Sequence, residues 1–423
     1  MSILLKSTEN YGNVYIEGGT IAEVGCAAYD ADTIIDASNK ALVPGFVNMH
    51  THAAMTLFRG YADDLPLQTW LQDHIWPLEA KLTEEDVYWG TKLACLEMIR
   101  SGTTAFNDMY WHALASARAV EDMGVRAAIS NVFIDVAGES DDGSDEAVRK
   151  KNRKLTGQLN KDYSDRIIPA LGPHAIYTVS EESLRWIAEF AREQSGDMLI
   201  HIHVSETEQE VNDCIKRTGM RPVEYLDHIG FLGPNVVAAH CVWLDDREIA
   251  LLARHDVKVA HNPVSNMKLA VGTTMRYPEL RAAGVNISLG TDGCASNNNL
   301  DMLETAKFAS LAQKAAANAP TVLTADESFA MVTRNGADAL RIGSGAGSIS
   351  EGSAADLLLI NLLLPEMTPF HNLNSNLIYS AHGSCVDTTI CDGVVLMHNR
   401  VVPGETEILR RASEVTYDLV NRE

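Results

Sequence analysis

The sequence predicts an α/β protein: a (β/α)8 barrel of the TIM type, joined to a small β-sandwich domain that is built from both chain ends. In the middle of the chain, short apolar runs alternate with segments of helical periodicity, as in parallel βα units. Nearly every apolar run ends in histidine, aspartate or asparagine, and in such barrels the reactive side chains stand at the C-terminal strand ends. Both chain ends carry strand patterns instead. These observations favour the barrel over the alternative, a doubly wound open sheet.

The small domain is expected at residues 1–44 and 349–423. Its first part contains two alternating runs, within Asn13–Val24, that meet at two glycines and therefore predict a hairpin. Its second part adds two strands and an amphipathic terminal helix: Ala355–Ile360, Gly393–Met397 and residues 405–422. The barrel is expected to occupy residues 45–348, since such a barrel takes about 250 residues.

Eight apolar runs predict the barrel strands. In chain order they are Gly45–His50, Thr103–Asp108, Arg126–Phe133, Ile167–Gly172, Met198–Val204, Val236–Cys241, Val257–Asn262 and Val285–Gly290. The first overlaps an apolar stretch, Ala41–Val47, that predicts a single buried strand. Helical periodicity is clearest in three of the segments between the runs: Glu84–Arg100, Ser180–Glu193 and Glu208–Lys216.

The composition indicates a soluble, cytoplasmic protein. Of the 423 residues, 46% are hydrophobic, and the net charge of −23 argues against nucleic acid or an anionic membrane as a partner. The seven cysteines are scattered without a Cys-x-x-Cys pair, which is typical of reduced thiols and excludes a zinc ribbon. No apolar run is long enough to span a bilayer, and the first residues lack the apolar run of a signal peptide.

The polar strand ends offer the ligands of a metal site. His50 and His52 are spaced i, i+2, so they project from the same face of a strand end. Later strand ends add two histidines, a glutamate and an aspartate: His203, Glu206, His240 and Asp292. Three histidines and one aspartate around one ion, with a position left for water, form a catalytic site and not a closed structural one. Nitrogen and oxygen ligands without thiolate suit one Zn²⁺ ion, with Fe²⁺, Mn²⁺ or Co²⁺ as alternatives.

Five motifs carry a resemblance to a known family: PGFVNMHTHAAMTLFRG, HIHVSETEQE, AAHCVWL, AHNPVSNMKLA and LGTDGCASNN. They resemble the metal-dependent amidohydrolase superfamily. Within it they are similar to the 5′-methylthioadenosine/S-adenosylhomocysteine deaminases, which include the 5′-deoxyadenosine deaminases of methanogens. The resemblance extends over essentially the whole chain.

The resemblance implies a role for each strand-end residue. The metal ligands would be His50, His52, His203 and Asp292. Glu206 would be the carboxylate that shuttles protons, and His240 the imidazole beside the metal-bound water. His201 also forms a His-x-His with His203, but the family motif places the ligand three residues before the glutamate. We therefore expect His201 to have a packing role or a role behind the metal ligands.

These residue types predict metal-assisted hydrolysis. A divalent metal lowers the pKa of bound water from about 15.7 to about 7, which makes hydroxide available at neutral pH. Asp292 would accept the water proton, and His240 would hold the hydroxide while it attacks C6 of an adenine ring. Protonated Glu206 would donate to ring N1 before ammonia leaves. The adenine ring itself comes from the resemblance. It implies 5′-methylthioadenosine, S-adenosylhomocysteine, 5′-deoxyadenosine and adenosine as substrates, and the inosine analogues as products.

The resemblance also implies a set of substrate contacts: Glu79, His174, Arg149, Glu206 and Asp292. Glu79 would accept hydrogen bonds from the two ribose hydroxyls, for which a carboxylate is a good acceptor. Without the resemblance, a solvated glutamate at a helix start is the alternative. His174 would contact the purine. Arg149 would meet the 5′ substituent, with Arg153 as a neighbouring candidate and a solvated helix face as the alternative.

Other functions are excluded or stay open. A two-metal site bridged by a modified lysine is disfavoured because Ile167–Tyr177 contains no lysine. The nucleobase deaminases with a Pro-Cys-x-x-Cys motif are excluded because the chain has no Cys-x-x-Cys. Guanine deaminases and triazine chlorohydrolases share the ligands and differ in their loops, so they remain alternatives. A non-catalytic metal-binding protein is a more remote one. The resemblance implies a homo-oligomer, either a tetramer or a dimer.

Overall fold

The structure of the chain is a computed structural model. It describes residues 2–6, 12–25, 29–65, 69–136, 145–194, 198–343 and 345–422. Cys26, one of the seven cysteines, lies outside the described residues. The other six are buried, free thiols.

The N-terminal segment forms five strands: β1 Ser2–Lys6, β2 Asn13–Glu17, β3 Thr20–Gly25, β4 Thr33–Asp36 and β5 Lys40–Pro44. The first four make one sheet in the order β3-β2-β1-β4. Strand β1 pairs antiparallel with β2 and parallel with β4. The predicted hairpin is therefore present as β2 and β3, which pair antiparallel.

The prediction of one strand across Ala41–Val47 is wrong, because the chain changes sheets at Gly45. Strand β5 ends at Pro44, and β6 begins at Phe46. The N–H of Gly45 donates to Asp356 O, whereas the N–H of Phe46 donates to a loop on the barrel side. A Cβ at position 45 would lie 2.2 Å from Thr104 Oγ1. The close approach of two chain segments therefore requires glycine here.

Eight parallel strands form the barrel: β6 Phe46–Thr51, β7 Thr103–Tyr110, β8 Arg126–Phe133, β9 Ile167–Pro173, β10 Leu199–Val204, β11 Val236–His240, β12 Lys258–His261 and β13 Ile287–Leu289. They neighbour one another in sequence order from β6 to β13. Across the remaining seam, the N–H of Asp292 donates to His50 O at 2.9 Å. All eight strands lie within a residue or two of their predicted positions.

Fifteen α-helices lie in the described residues: α1 Trp76–Glu79, α2 Glu84–Ser101, α3 Ala113–Met123, α4 Asp145–Asp162, α5 Glu181–Glu193, α6 Glu208–Thr218, α7 Pro222–His228, α8 Asp246–Arg254, α9 Pro263–Lys268, α10 Tyr277–Ala282, α11 Met302–Ala317, α12 Ala325–Met331, α13 Arg334–Leu340, α14 Leu373–Tyr379 and α15 Glu405–Asn421. A 3₁₀ helix, Ala53–Phe58, follows β6, and a π-helical turn, Trp70–Ile75, precedes α1. Ser180 caps α5, because its hydroxyl accepts from the N–H of Ser183.

Three further strands complete the small domain: β14 Leu357–Asn361, β15 Val386–Cys391 and β16 Val394–Met397. With β5 they form an antiparallel sheet in the order β16-β15-β14-β5. The two four-stranded sheets share one apolar core, which includes Ile3, Leu5, Ile16, Ile35, Leu357, Leu359 and Ile390. The predicted fold class, a (β/α)8 barrel with a small β-domain from both chain ends, is confirmed.

A partly buried ion-pair network joins the small domain to the barrel. Arg126, at the start of β8, lies with Nε 2.9 Å from Asp356 Oδ2 and with Nη2 2.6 Å from Asp392 Oδ1. Arg166 reaches the other oxygen of Asp392 at 3.0 Å. The terminal helix α15 packs on the barrel helix α2. In the part of the chain that the structure describes, no helix is both long and apolar enough to cross a membrane.

Strand alternation on β10 separates the structural side chains from the chemical ones. Ile200 and Ile202 pack in the core between barrel and helices. Leu199 belongs to a different apolar cluster, with residues from the other barrel strands. Because alternate residues of a strand share a face, His201 and His203 continue the face of Leu199 towards the C-terminal end of the strand.

Candidate active site

The five strand-end residues meet at one end of the barrel. His50 and His52 come from the end of β6, His203 from β10, His240 from β11, and Asp292 from just beyond β13. Ligand atoms of His50, His52 and His203 all lie within 4.8 Å of one another, and so do those of His50, His240 and Asp292. Parallel strands turn their C-terminal ends to the same side, so distant histidines converge without any local sequence link.

The spacing of the ligand atoms fits a divalent cation. Asp292 Oδ1 lies 3.3 Å from Nε2 of both His50 and His52. Nε2 of His203 lies 3.4 Å from Nε2 of His52. Ligands about 2.0–2.1 Å from a tetrahedral zinc ion stand about 3.3 Å apart. Nε2 of His50 is buried and has no hydrogen-bond partner among the described residues, so it is available as a ligand.

Two of the imidazoles are held in the tautomer that a metal needs. Nδ1 of His52 donates to Met109 O at 2.6 Å, and Nδ1 of His203 donates to His174 O at 2.6 Å. A carbonyl oxygen only accepts, so both Nδ1 atoms carry the proton and both Nε2 atoms keep a free lone pair. Burial lowers the pKa of His203 well below its usual value and that of His50 to about 4. The rings of His203 and His50 are therefore neutral at neutral pH.

Asp292 is held as a carboxylate. Its Oδ2 accepts from the hydroxyl of Ser265 at 2.7 Å, and its Oδ1 accepts from the N–H of Gly293 at 2.8 Å. Burial favours the neutral acid, but the neighbouring imidazoles of His50, His52 and His240 hold the pKa of Asp292 well below its ordinary value. Its backbone φ is +64°, in the left-handed region where strain concentrates at functional sites.

Glu206 and His240 form a second pair beside the ligands. Oε2 of Glu206 lies 3.9 Å from Nε2 of His240. Burial raises the pKa of Glu206, which favours its protonated form. Burial alone would lower the pKa of His240, but the carboxylates of Glu206 and Asp292 raise it. Nδ1 of His240 contacts Asn266 Oδ1 at 2.9 Å, so Nδ1 is the donor and Nε2 faces the site. A carboxyl group and an imidazole, each with a raised pKa, therefore stand side by side in the site.

A cavity of about 540 Å³ borders these residues, a size typical of small-molecule sites. Its lining includes a belt of aromatic side chains: Trp70, Trp76, Tyr110, Trp111 and Tyr177. Glu79 and His174 also line it. Burial and the nearby carboxylate of Glu79 hold the pKa of Tyr110 well above its usual value. Burial lowers the pKa of His174 to about 3, so its ring is neutral.

Arg149 and Arg153 are not among the cavity-lining residues described. Arg149 Nη1 pairs with Glu182 Oε1 at 2.8 Å. The guanidinium of Arg153 lies 5.0 Å from the ring of Phe190. Lys151 and Leu155, on the same helix α4, line the cavity instead. Residues 137–144, which precede this helix, lie outside the described residues.

Helical spacing is the signal that could have identified Lys151. Residues 149 and 153 are four apart and share one helix face, whereas 151 and 155 share the opposite one. Sequence reasoning did not consider the face of Lys151 because it had no fixed point for the rotation of α4. The contact of Arg149 with a 5′ group remains a prediction.

Sequence reasoning also missed the carboxylate that shapes the turn carrying Glu206. Glu210 is buried, and its two oxygens accept from the N–H groups of Ser205 at 2.9 Å and of Glu206 at 2.8 Å. Burial raises the pKa of Glu210 to about 7. The sequence signal that could have identified Glu210 is its position within the motif HIHVSETEQE, in the first turn of α6. Negatively charged side chains are favoured in the first turn of a helix.

Comparisons with known proteins agree with this geometry. A sequence model of the amidohydrolase family matches residues 41–396. A 5′-deoxyadenosine deaminase of Methanoregula boonei is 51% identical over 408 residues, covering 95% of this chain and 91% of its own. The 5-methylthioadenosine/S-adenosylhomocysteine deaminase 1 of Archaeoglobus fulgidus is 49% identical, covering 96% of this chain and 94% of its own.

Solved structures match over the full length as well. An adenosine deaminase of Xanthomonas campestris with bound zinc superposes with a TM-score of 0.92 at 35% identity, covering 99% of this chain and 98% of that one. A triazine hydrolase variant superposes with a TM-score of 0.89 at 22% identity over 98% of this chain and 99% of that one, which shows a shared fold alone. The chain belongs to the amidohydrolase family, and within it to the group of the 5′-deoxyadenosine and methylthioadenosine/S-adenosylhomocysteine deaminases.

Proposed function

We propose that the protein is a hydrolytic deaminase of 5′-substituted adenosines, which it converts to the inosine analogues and ammonia. The observation that carries this proposal is the convergence of the metal-ligating and catalytic side chains at one end of the barrel. Imidazoles and a carboxylate surround an ion-sized gap, beside a glutamate whose burial favours its protonated form. Relatives that cover nearly the whole chain at about half identity are named as deaminases of such nucleosides.

We propose a single divalent metal, Zn²⁺, held by His50, His52, His203 and Asp292. The donor set supports this, since imidazole nitrogen and carboxylate oxygen without thiolate suit zinc, with Fe²⁺, Mn²⁺ or Co²⁺ as alternatives. The related Xanthomonas adenosine deaminase binds zinc. When bound, such an ion lowers the pKa of water to about 7 and so supplies a nucleophile at neutral pH.

The chain's own residues would handle the protons. Asp292, held ionised, accepts the proton of the attacking water. Nε2 of His240 faces the same space and can hold that water. Burial raises the pKa of Glu206 and so favours its protonated form, which would donate to ring N1 so that the ring can accept electrons as the water adds at C6. The proton that Asp292 gained then leaves with the amino group as ammonia. The proton that remains on the oxygen at C6 would return to Glu206, which gives the 6-oxo product and restores the protonated glutamate.

Substrate recognition would use the cavity wall. We propose that Glu79 accepts hydrogen bonds from the ribose hydroxyls and that His174 contacts the purine, since both line the cavity with the catalytic residues. For the 5′ group, we propose Lys151 beside the originally predicted Arg149. Lys151 belongs to the cavity lining, whereas Arg149 is paired with Glu182.

Guanine deaminase or triazine chlorohydrolase activity is the alternative. A free base or a triazine has no vicinal hydroxyls, so it would leave the carboxylate of Glu79 without its proposed partner. The likeness to triazine hydrolases rests on 22% identity, against 51% for a nucleoside deaminase. A non-catalytic metal-binding role would require the loss of a catalytic group, and all six strand-end groups are present.

We also propose the domain division given by the sequence, with residues 1–44 and 349–423 in the small domain and 45–348 in the barrel. The shared core of the two small sheets supports it, although helix α15 packs on the barrel. We propose a cytoplasmic homo-oligomer, a tetramer or a dimer, by resemblance to the family. The net charge of −23 supports the proposal that neither nucleic acid nor an anionic membrane is a partner.

The test compares ammonia release from 5′-deoxyadenosine, 5′-methylthioadenosine, S-adenosylhomocysteine, adenosine and guanine, with metal analysis of the same sample. We expect kcat/KM to be highest for one of the 5′-substituted adenosines, and about one metal ion per chain. Ammonia release from guanine alone would refute the nucleoside assignment. A metal-free chain with full activity would refute the metal site.

A further inference from the structure

Among the proposed metal ligands, His50 has an unusual hydrogen-bond partner. Nδ1 of His52 and Nδ1 of His203 each face a backbone carbonyl, which fixes the proton on Nδ1. Nδ1 of His50 faces another imidazole, Nε2 of His201, at 2.7 Å. The other ring nitrogen of His201 is buried and has no hydrogen-bond partner among the described residues.

An imidazole can donate or accept, so this contact has two possible proton arrangements. If Nε2 of His201 carries a proton, it donates to His50 Nδ1, and the proton of neutral His50 must then lie on Nε2. That arrangement blocks the nitrogen that faces Asp292. If the proton of His201 lies on Nδ1 instead, Nε2 accepts from His50 Nδ1–H, and Nε2 of His50 keeps its lone pair.

We infer that His201 is a positioning residue for the metal site: neutral His201, with its proton on Nδ1, accepts from His50 and so keeps Nε2 of His50 available as a ligand. This inference rests on the proposed metal site. The position supports it, because His201 and His50 are both fully buried and water does not compete for Nδ1. His50 also belongs to both groups of converging ligand atoms, so the orientation of its ring affects the whole site.

The role assigned to His201 is usually filled by a carboxylate or a backbone carbonyl, and losing such a partner costs 10–100-fold in metal affinity. A neutral imidazole is a weaker acceptor than a carboxylate, so it orients His50 without adding negative charge to the site. The charge at the metal then comes from Asp292 alone, which suits an ion that must make its water acidic.

The experiment measures zinc affinity by chelator competition on the wild-type chain and three variants. We expect His201→Leu, which removes the acceptor, to bind zinc about 10–100-fold more weakly. His201→Gln keeps an acceptor oxygen near the position of Nε2, so we expect it to regain most of the affinity. The matched control is His261→Leu, because His261 is equally buried and neither of its ring nitrogens has a described partner. We expect that control to bind zinc within about twofold of the wild type.

The proposal is overturned if His201→Leu binds zinc as tightly as the wild type, if His201→Gln is as weak as His201→Leu, or if His261→Leu is as weak as both. A second measurement does not depend on whether a variant folds. Long-range proton–nitrogen NMR of the zinc-loaded wild type should show the His201 proton on Nδ1, and a proton on Nε2 would overturn the proposal. A wild-type chain that binds no zinc refutes the proposed metal site itself, which distinguishes the two failures.

Discussion

Replacing Glu206 by glutamine tests the proposed proton donor with little change in shape. The amide matches the carboxyl group in size, so no cavity forms. Among the described residues, the side chain of Glu206 has one polar contact, with His240 Nε2 at 3.9 Å. We therefore expect Glu206→Gln to change the free energy of unfolding by less than about 1 kcal/mol, while the acidic proton is lost.

The size of the effect follows from the role. A positioned general acid contributes about 10²–10⁴-fold to the rate, which corresponds to about 2.7–5.4 kcal/mol at 1.36 kcal/mol per tenfold. We expect Glu206→Gln to lower kcat for 5′-deoxyadenosine by about 10²–10⁴-fold. Metal content should stay at the wild-type level, because Glu206 is not one of the proposed ligands.

The pH dependence of kcat tests the proposed role of Glu206 independently. Glu206 must be protonated to donate, and burial raises its pKa. In the wild type, kcat should therefore be highest at pH values below the pKa of Glu206 and should fall as the pH rises through this raised pKa. This fall is the alkaline limb of the pH profile. Glu206→Gln has no such titration, so its remaining activity should lack this alkaline limb.

The matched control is Glu208→Gln, on an exposed residue in the first turn of helix α6. It makes the same chemical change two residues away and should leave kcat within about twofold. The reasoning is refuted if Glu206→Gln, with its metal content intact, keeps kcat within about threefold of the wild type, or if its alkaline limb persists unchanged.

Three further predictions follow from other contacts. Lys151→Met should lower kcat/KM for S-adenosylhomocysteine about tenfold and leave kcat/KM for 5′-deoxyadenosine unchanged, since only S-adenosylhomocysteine carries a carboxylate that the ammonium could bind. The control is Lys150→Met, on the exposed neighbouring residue. An equal loss of kcat/KM for both substrates would contradict the assignment. Arg126→Met should lower the free energy of unfolding, measured in urea titrations, by about 3–5 kcal/mol, because it leaves the buried Asp356 carboxylate without the guanidinium that lies 2.9 Å away. A loss below about 1 kcal/mol would contradict the assigned ion pair. Glu210 has a folded pKa of about 7, above its unfolded value, so its contribution to stability is full at low pH and is lost as the pH rises through about 7. The stability of wild type relative to Glu210→Gln should accordingly fall between about pH 4.5 and about pH 7, and a constant difference would contradict the assigned environment.

Much of the fold could be predicted because its signals are local. An apolar run with a polar end specifies a barrel strand by itself, and the observed strands lie close to the predicted runs. The sheet change at Gly45 could not be predicted in this way. The residues on both sides are equally apolar, and the break depends on Thr104, which is distant in sequence and lies 2.2 Å from where a Cβ would be.

The convergence of ligands at one end of the barrel was predictable for a related reason. Once the strands are parallel, their C-terminal ends must lie on the same side, so His50 and Asp292 meet although 242 positions separate them. The face of helix α4 that borders the cavity was not predictable, because the rotation of a helix about its axis depends on what packs against it. On this helix, Lys151 and Leu155 are among the residues that line the cavity.

The sequence by itself determined the strand pattern, the family and the residue types at the strand ends, because periodicity and motif order are properties of neighbouring residues. Only the tertiary structure decided which atoms meet. The 2.7 Å contact between His50 and His201, the turn held by Glu210 and the seam closed between Asp292 and His50 each join separate parts of the main chain. Such contacts depend on angles and distances that accumulate over whole strands and helices, and no local pattern of side chains encodes them.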